Sequence, residues 1–506
     1  MLFKILSAAL LGIEAYPVEV EVDISGGLPA FVTVGLPDPA VRESKERVRA
    51  ALKNCGWELD SWKVTINLAP ADRRKEGSAF DLPIALGFLA HMDVVPADRL
   101  RDHLFVGELA LDGSLKPARG VLAVALMAER SGCRGLVVPR ANAREAALAR
   151  GLPVFGLDNL VQVVRFLTAP GEVPACRFTL DDLVAPAAET VDFDEVKGQY
   201  HVKRALEVAA AGAHNVLLIG PPGAGKTMLA RRLPTILPEM TFEEMIEVTQ
   251  VWSAAGLLQE TGAVSRRPFR APHHTITDPA LIGGGLVPRP GEVSLAHRGV
   301  LFLDELPEFR KRVLEDLRQP LEDGRVTVSR SAMSAVFPSA FMLVAAMNPC
   351  EDVFRGLGAA KGGCTDSEKA RYYARISGPL LDRIDIQLEV PEVKFRDIVS
   401  RDAAESSAAI RARVTAARGR QLARFKGRKI YANAQMGPRD IKKFCAVPAE
   451  AERLLETAVT RLGFSARAYD RVLKVARTIA DLEKTDAIAT PHVSEAVQYR
   501  MMDRFG

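Results

Sequence analysis

Gly220-Pro-Pro-Gly-Ala-Gly-Lys226-Thr227 constrains this chain more than any other stretch. The apolar run Val216–Ile219 before it reads as a buried strand, and helix formers follow it. A glycine-rich turn between strand and helix lets backbone N–H groups converge on an anion, helped by the dipole of the helix N-terminus. Gly220, Pro221, Pro222, Gly223, Ala224 and Gly225 make that turn. Lys226 is placed to reach terminal phosphates, and the Thr227 hydroxyl to ligate Mg²⁺. A glycine-rich turn with no ligand is the alternative, but every position of the phosphate-loop pattern is matched in the context it needs. The chain is expected to bind a nucleoside triphosphate, ATP with Mg²⁺.

Hydrolysis of that ligand needs a carboxylate near the metal and a second one to orient or deprotonate water. The run Gly299–Leu303 reads as a buried strand ending in Asp304 and Glu305, which divide those roles as metal side and water side. An isolated strand leaving the core would look the same; downstream of a full phosphate loop the pair reads as functional. A third apolar run, Phe341 to Met347, ends in Asn348, a polar amide for the terminal phosphate or the lytic water.

The 506 residues are too many for one core, so two or three domains are expected. A net charge of +4 names no partner by itself. Six cysteines scattered over this length form no disulfide framework and fit reduced thiols in a cytoplasm. The apolar run Ile5–Ile13 resembles a secretory core segment, but Glu14 and the alternating Pro17-Val-Glu-Val-Glu-Val-Asp23 follow with no cleavage site. With no uninterrupted apolar stretch of membrane length, a cytoplasmic protein without a membrane partner is expected.

Four segments are expected: residues 1–170, a Pro/Ala/acid-rich linker at 171–190, the nucleotide core at 191–393, and a helical part at 394–506. In the first, Val18–Ile24 and Ala30–Val34 read as a strand pair joined across Gly26-Gly27. Pro39–Asn54 reads as a helix, Trp62–Leu68 as a strand, Ala79–Leu89 as a helix, and Gly135–Pro139 as a strand. Two stretches here, Lys75–Ala85 and Gly107–Leu122, resemble the proteolytic domain of the Lon family. That family uses a serine activated by a lysine; the matching positions here are Asp81 and Leu122, which cannot act in those roles. Ser78 with Lys75 is the remaining route to a protease. The resemblance implies a Lon-like α+β fold without proteolysis, serving assembly or partner contact.

The nucleotide core resembles the AAA+ ATPase superfamily. By that resemblance Val196 and Gly198 of Val196-Lys-Gly-Gln199 pack beside the adenine, and Asn348 is the "sensor 1" residue. Gly378-Pro-Leu-Leu-Asp-Arg-Ile-Asp385 is similar to the segment that, in the magnesium chelatase and minichromosome maintenance branch, carries an arginine finger. Arg383 would then act in trans, in a ring; a surface ion pair with Asp382 or Asp385 is the plain alternative. Ser465-Ala-Arg467 opens a helix and resembles "sensor 2", with Arg471 as the fallback. The fold implied is α/β: a Lon-like α+β N-terminal domain, an AAA+ core with a helix-2 insert and a pre-sensor hairpin, and a C-terminal helical lid.

Arg267-Pro-Phe-Arg-Ala-Pro-His-His-Thr275, Gly291–Gly299, Arg375–Asp385, Ala15–Asp23 and Val34–Ser44 resemble the ComM/YifB family, so the likeness spans nearly the whole chain. It implies a hexameric DNA helicase driving branch migration. A motor on a polyanion needs basic residues on pore-facing loops. Arg330, on the hairpin expected over 324–336, and Arg289, in Gly283–Arg289, are the candidate DNA contacts. The twelve Lys/Arg against three acids in 401–443 read as a basic solvated helix face, with a nucleic-acid patch as the other option. His273-His274 reads as polar contacts within the insert rather than a metal pair. Many family members carry two C-x-C pairs after Asn348; Cys350 and Cys364 keep one cysteine of each, so even with Asp352 zinc is not expected. The ATPase subunit of a Mg or Co chelatase acting on a tetrapyrrole is the second reading, and an unfoldase partnered with a protease the third.

Overall fold

The computed structural model describes residues 1–58, 62–169, 171–178, 191–258, 261–330, 333–350, 364–393, 404–428, 430–462 and 464–500. Most of the expected linker, Asp352, and residues 394–403 fall outside them.

The N-terminal part is built on β1 (Leu2–Leu11), β2 (Glu14–Gly26), β3 (Ala30–Val34), β4 (Trp62–Ala69), β5 (His103–Phe105), a small hairpin of β6 (Glu108–Leu109) and β7 (Leu115–Lys116), β8 (Gly135–Pro139) and β9 (Val154–Leu157). Seven of these form one sheet in the order β3-β4-β2-β1-β5-β8-β9. Helices α1 (Pro39–Asn54), α2 (Asp81–His91), α3 (Val121–Arg130), α4 (Ala143–Ala146) and α5 (Leu160–Thr168) complete it. The run that resembles a secretory segment is mostly β1, paired along its whole length with β2. Alternation decides β2: Val18, Val20, Val22 and Ile24 are buried, while Glu19 and Glu21 face Lys4 at 2.7 and 2.9 Å.

One expectation is corrected. β2 and β3 do not pair; β4 lies between them, antiparallel to β2 and parallel to β3. Parallel neighbours need a long crossover, and α1 supplies it between β3 and β4. Asp38 starts that helix by accepting the Val41 N–H at 2.7 Å, with Pro39 in the first turn.

The second sheet takes β10 (Val216–Ile219), β11 (Phe269–Arg270), β14 (Val300–Leu303), β17 (Met342–Met347) and β18 (Ile386–Glu389), in the order β11-β14-β17-β10-β18. Every neighbouring pair in it is parallel. Two hairpins stand apart from it: β12 (Gly283–Gly284) with β13 (Arg289–Pro290), and β15 (Arg325–Arg330) with β16 (Met333–Pro338). Around these lie α6 (Tyr200–Gly212), α7 (Lys226–Ile236), α8 (Phe242–Ala255) and α9 (Asp278–Ile282). One apolar cluster runs from Phe193 through β10 and β17 to Val472, Ile479 and Tyr499, so the helices after 406 share the core on one sheet face.

The two halves are packed together. Leu122 on α3 and Met245 on α8 share a buried cluster with Leu148 and Ala263. Buried Glu145 accepts the Ser253 hydroxyl at 2.6 Å, and Gln250 donates to the Ile13 carbonyl at 2.7 Å. The β1–β2 turn sits on the second strand of the β15–β16 hairpin: a Cβ added at Gly12, already at φ +66°, would come within 3.0 Å of the Ala335 Cβ.

Candidate functional site

Parallel strands deliver their C-terminal ends to one edge of a sheet, where ligands of open α/β folds bind. Here β10 ends in Gly220–Thr227, β14 in Asp304-Glu305 and β17 in Asn348. The sequence-separated candidates therefore meet. Lys226 Nζ donates to the Gly220 carbonyl at 2.6 Å, to Pro221 O at 2.9 Å and to Asn348 Oδ1 at 2.9 Å. Thr227 Oγ1 donates to Asp304 Oδ2 at 2.7 Å. Tyr372 fixes the turn after β17 by donating to the Asn348 carbonyl at 2.9 Å.

These residues fit a magnesium-bound polyphosphate. Gly223 sits at φ +82° over open space, with nothing within 4 Å of an added Cβ, while Gly220 is backed by the Val390 carbonyl, 2.2 Å from an added Cβ. The loop is thus closed behind and open in front. Three acceptors, the Gly220 and Pro221 carbonyls and Asn348 Oδ1, hold the Lys226 ammonium beside that opening. A hydroxyl and a carboxylate in contact are hard oxygen ligands of the kind Mg²⁺ takes. Among the described residues no cluster of three or more His, Cys, Asp or Glu stands ready for a metal.

Val196 is buried and Gly198 is at φ +61° in the turn that leads into α6. Gln199 ties that turn to the loop, donating to Ala224 O at 2.9 Å and Pro391 O at 3.0 Å. The sequence reading quoted Gln199 without giving it this bridging part. Lys203 braces the same turn from α6 through the Val196 and Phe193 carbonyls.

Arg383 and Arg467 are not at this edge. Both lie by the N-terminal ends of the same strands, roughly 13 Å away for a four-residue strand. They line a cleft of about 1150 Å³ with Arg267, Arg298, Arg325 and Arg471. Arg383 pairs with Glu322 and donates to the Pro379 carbonyl, while Arg467 stands 3.5 Å from Asp382 and is well exposed. The ion pair of Arg383 is therefore not with Asp382 or Asp385. Asp385 is taken by Arg471 and by His214 at 3.2 Å. Burial opposes its ionised form, but Arg471 first and then His214 outweigh that and hold its carboxyl far below the usual range. Asn215, one residue before β10, anchors this end by donating to the Arg383 carbonyl and accepting the Leu343 N–H, both at 2.9 Å. Its only sequence signal was an amide directly before a buried strand.

Arg289 is exposed on the second strand of its hairpin. Arg330 stands in the pair Arg330–Met333 at the end of its own hairpin, and its side chain lies outside what is described. The base of the β12–β13 hairpin meets the middle of the β15–β16 hairpin, since an added Cβ at Gly283 would stand 3.3 Å from Val328 Cγ2. Many cations of 401–443 are spoken for inside the fold: Arg413 by Glu207 and Glu405, Arg418 by the Ala210 and Ala211 carbonyls, Arg424 by Asp481. His273 meets Thr275 Oγ1 at 2.9 Å, and His274 Nδ1 stands 3.3 Å from Glu305 Oε2, a contact the sequence reading missed.

In the N-terminal part, Asp81 is fully buried and bound twice by Arg47, at 2.7 and 3.0 Å. Burial pushes its carboxyl up to about 6 against the pull of Arg47. Ser78 is hydrogen-bonded to Glu108, and Lys75 to the Pro70 and Arg73 carbonyls, so the two do not form a dyad. Expected thiols are corrected at one point: Cys350 and Cys364 form a disulfide, while Cys55, Cys133, Cys176 and Cys445 stand outside any disulfide. The turn after β17 and the N-cap region of the helix Asp366–Tyr373 bring their Cα atoms to 6.3 Å, which sequence separation does not reveal.

Three family profiles cover most of the chain: magnesium chelatase, subunit ChlI, over residues 192–398; subunit ChlI of Mg-chelatase over 20–142; and the subunit ChlI C-terminal profile over 404–500. The chain is 45% identical to the uncharacterized protein YifB of Salmonella typhimurium, over 98% of this chain and 96% of that one. It is 44% identical to the competence protein ComM of Haemophilus influenzae, over 98% and 97%. Likeness to the magnesium-chelatase 67 kDa subunit of Chlorobaculum parvum is 29% identity over 33% of this chain and 24% of that protein. Similarity from end to end to YifB and ComM, and only in part to a chelatase subunit, makes this chain a member of the ComM/YifB family of magnesium-chelatase-like proteins.

Proposed function

We propose that this chain is the subunit of an ATP-hydrolysing ring motor, a DNA helicase or translocase that promotes branch migration in recombination or natural transformation. The observation that carries the reading is the division of the site. Lys226, Thr227, Asp304, Glu305 and Asn348 gather at one end of the parallel sheet, and Arg383 and Arg467 at the other. A subunit cannot fold that second end onto its own phosphate loop. A neighbour's can be stacked against it, as the homo-hexamer implied by resemblance requires.

In this reading Lys226 and the loop N–H groups hold the terminal phosphates, and Thr227 and Asp304 hold Mg²⁺. The ion, when bound, neutralises phosphate oxygens. Glu305 takes a proton from the attacking water as the bond from phosphorus to the bridging oxygen breaks. Asn348 steadies Lys226, and Arg383 of the next subunit meets the developing charge, with Arg467 beside it. Val196 and Gly198 border the base. Residues 1–170 act as a Lon-like, non-proteolytic platform, 191–393 as the AAA+ core and 394–506 as the helical lid; zinc has no part in it.

DNA is supported by the relative ComM of Haemophilus influenzae, a competence protein, and by Arg289 and Arg330 on two hairpins in contact. The chelatase reading rests on the ChlI profiles, while the likeness to the Chlorobaculum chelatase subunit itself covers a third of the chain. Among the described residues no helix is long and apolar enough to cross a membrane. The test is phosphate release with no DNA and with single-stranded, duplex and four-way-junction DNA. Stimulation together with junction binding is expected; absence of both removes the helicase reading.

A further inference from the structure

Arg298 stands just before β14 at φ +59°, a left-handed conformation uncommon for any residue but glycine. Its surroundings hold it there. Its N–H donates to the Ala340 carbonyl at 2.8 Å, and its own carbonyl accepts from Arg267 at 2.7 Å. Glu247 of α8 fixes the guanidinium, its Oε2 lying 2.9 Å from Nε and 2.8 Å from Nη2. So held, the guanidinium covers the ring of Tyr431, 4.7 Å from the centroid. Tyr431 belongs to the C-terminal helical part, and both residues line the cleft at the N-terminal ends of the strands, so the stack joins its two walls.

The segment of Tyr431 is pinned to the helix Ala466–Leu482, which carries Arg467 in its first turn. Lys474 donates to the Ala434 carbonyl at 2.9 Å, and Asn433 donates to Thr478 at 3.1 Å and to Asp481 at 2.9 Å. At the β18 side of the cleft the same helix is held by Arg471 on Asp385, and by Thr478, which meets His214 Nε2 at 2.8 Å. Arg298 supplies an attachment at the β14 side, across the order β14-β17-β10-β18. Arg467 itself is 65% exposed, and its carboxylate neighbour at 3.5 Å is Asp382, next to Arg383. Its place relative to Arg383 is therefore set by how the helix is seated and not by packing around its own side chain.

We propose that the stack of Arg298 on Tyr431 seats this helix so that Arg467 stands beside Arg383, ready for the phosphate loop of the neighbouring subunit. Arg298 and Tyr431 are then positioning residues of a site to which they contribute no atom. This rests on the reading of the site as shared between subunits. The stack touches none of the residues that hold phosphate in its own subunit, so it acts on kcat and not on ATP affinity.

The experiment is steady-state phosphate release by full-length chains, each alone and then mixed in pairs. Tyr431→Ala and Arg298→Gly are expected to lower kcat roughly five- to thirtyfold, the worth of a partly desolvated cation–π contact. KM for ATP should stay within about twofold. Glycine suits the backbone at 298, so Arg298→Gly removes the side chain without a new clash. Tyr431→Phe, which keeps the ring, should recover the wild-type rate. Mixed with Glu305→Gln, Tyr431→Ala should exceed the mean of the two alone, because one chain brings an intact phosphate loop and the other an intact arginine face. Mixed with Arg383→Ala it should gain nothing, because both lesions lie on the same face. A gain with Arg383→Ala and none with Glu305→Gln would mean that Arg298 acts along β14 on the acid pair of its own subunit, and overturns the proposal. So does a kcat within about twofold of wild type in both Tyr431→Ala and Arg298→Gly. The mixture of Arg383→Ala with Glu305→Gln separates the two readings. If it is silent, the shared site falls and the proposal with it; if it is active while Tyr431→Ala with Glu305→Gln is silent, the proposal alone falls.

Discussion

Lys226 Nζ and Asn348 Oδ1 meet at 2.9 Å although 122 residues separate them, joining the ends of β10 and β17 into one surface. Asn348→Ala should leave nucleotide binding near normal and lower kcat on the order of 10²-fold, the usual loss when one polar group of a preorganised site is removed. Lys226→Ala should abolish turnover. Steady-state phosphate release and a fluorescent nucleotide titration check both; wild-type kcat in either variant refutes the assignment.

Arg383 sits a strand's length from Lys226 in its own subunit. Arg383→Ala alone should therefore be inactive, as should Glu305→Gln alone. Mixed, the two form some junctions with both residues intact, and part of the activity should return. A mixture as inactive as its components would count against a site shared between subunits.

Arg471 and His214 keep Asp385 ionised in the interior. Arg471→Leu strands that charge, and should cost about 3–5 kcal/mol of stability, read from denaturant unfolding. Because the folded carboxyl is held below its unfolded value, the contribution is present above the ordinary range near pH 4 and is lost as pH falls through the depressed value. The variant should therefore show less acid sensitivity than the wild type. Equal slopes with pH would argue against it.

Leu122 and Met245 bind the N-terminal half to α8. Leu122→Ala should cost about 2–5 kcal/mol, as buried large-to-small changes do. Leu122→Lys, which reinstates the side chain of the proteolytic resemblance, should destabilise further by burying an ammonium, and no casein cleavage should appear. Peptidase activity in that variant would reverse the reading of this half.

Cys350 and Cys364 are bonded, and the other four cysteines are in no disulfide. Denatured, unreduced protein should titrate four thiols with a thiol reagent, and six after reduction. Six without reduction would contradict the bridge.

Much of the fold was legible because local rules dominate there. Pro39–Asn54 is a helix with the expected ends, since a cap, an N1 proline and an amphipathic repeat agree. Val216–Ile219 and Asp304-Glu305 were readable for the same reason: apolar runs of strand length, punctuated by residues with one chemical use. The β2–β3 misreading arose where alternation identifies strands but does not say which partner each takes.

The sequence by itself determined the parts of the site, because a phosphate loop, an acid pair and a strand-end amide are each written in a few consecutive residues. Only the tertiary structure decided their arrangement. Parallel pairing sends Thr227, Asp304 and Asn348 to one edge and Arg383 and Arg467 to the other, and it brings His274 to Glu305 across adjacent strands. Such contacts depend on strand order, which is set by the burial of whole faces and crossover length, and no short window of sequence contains that information.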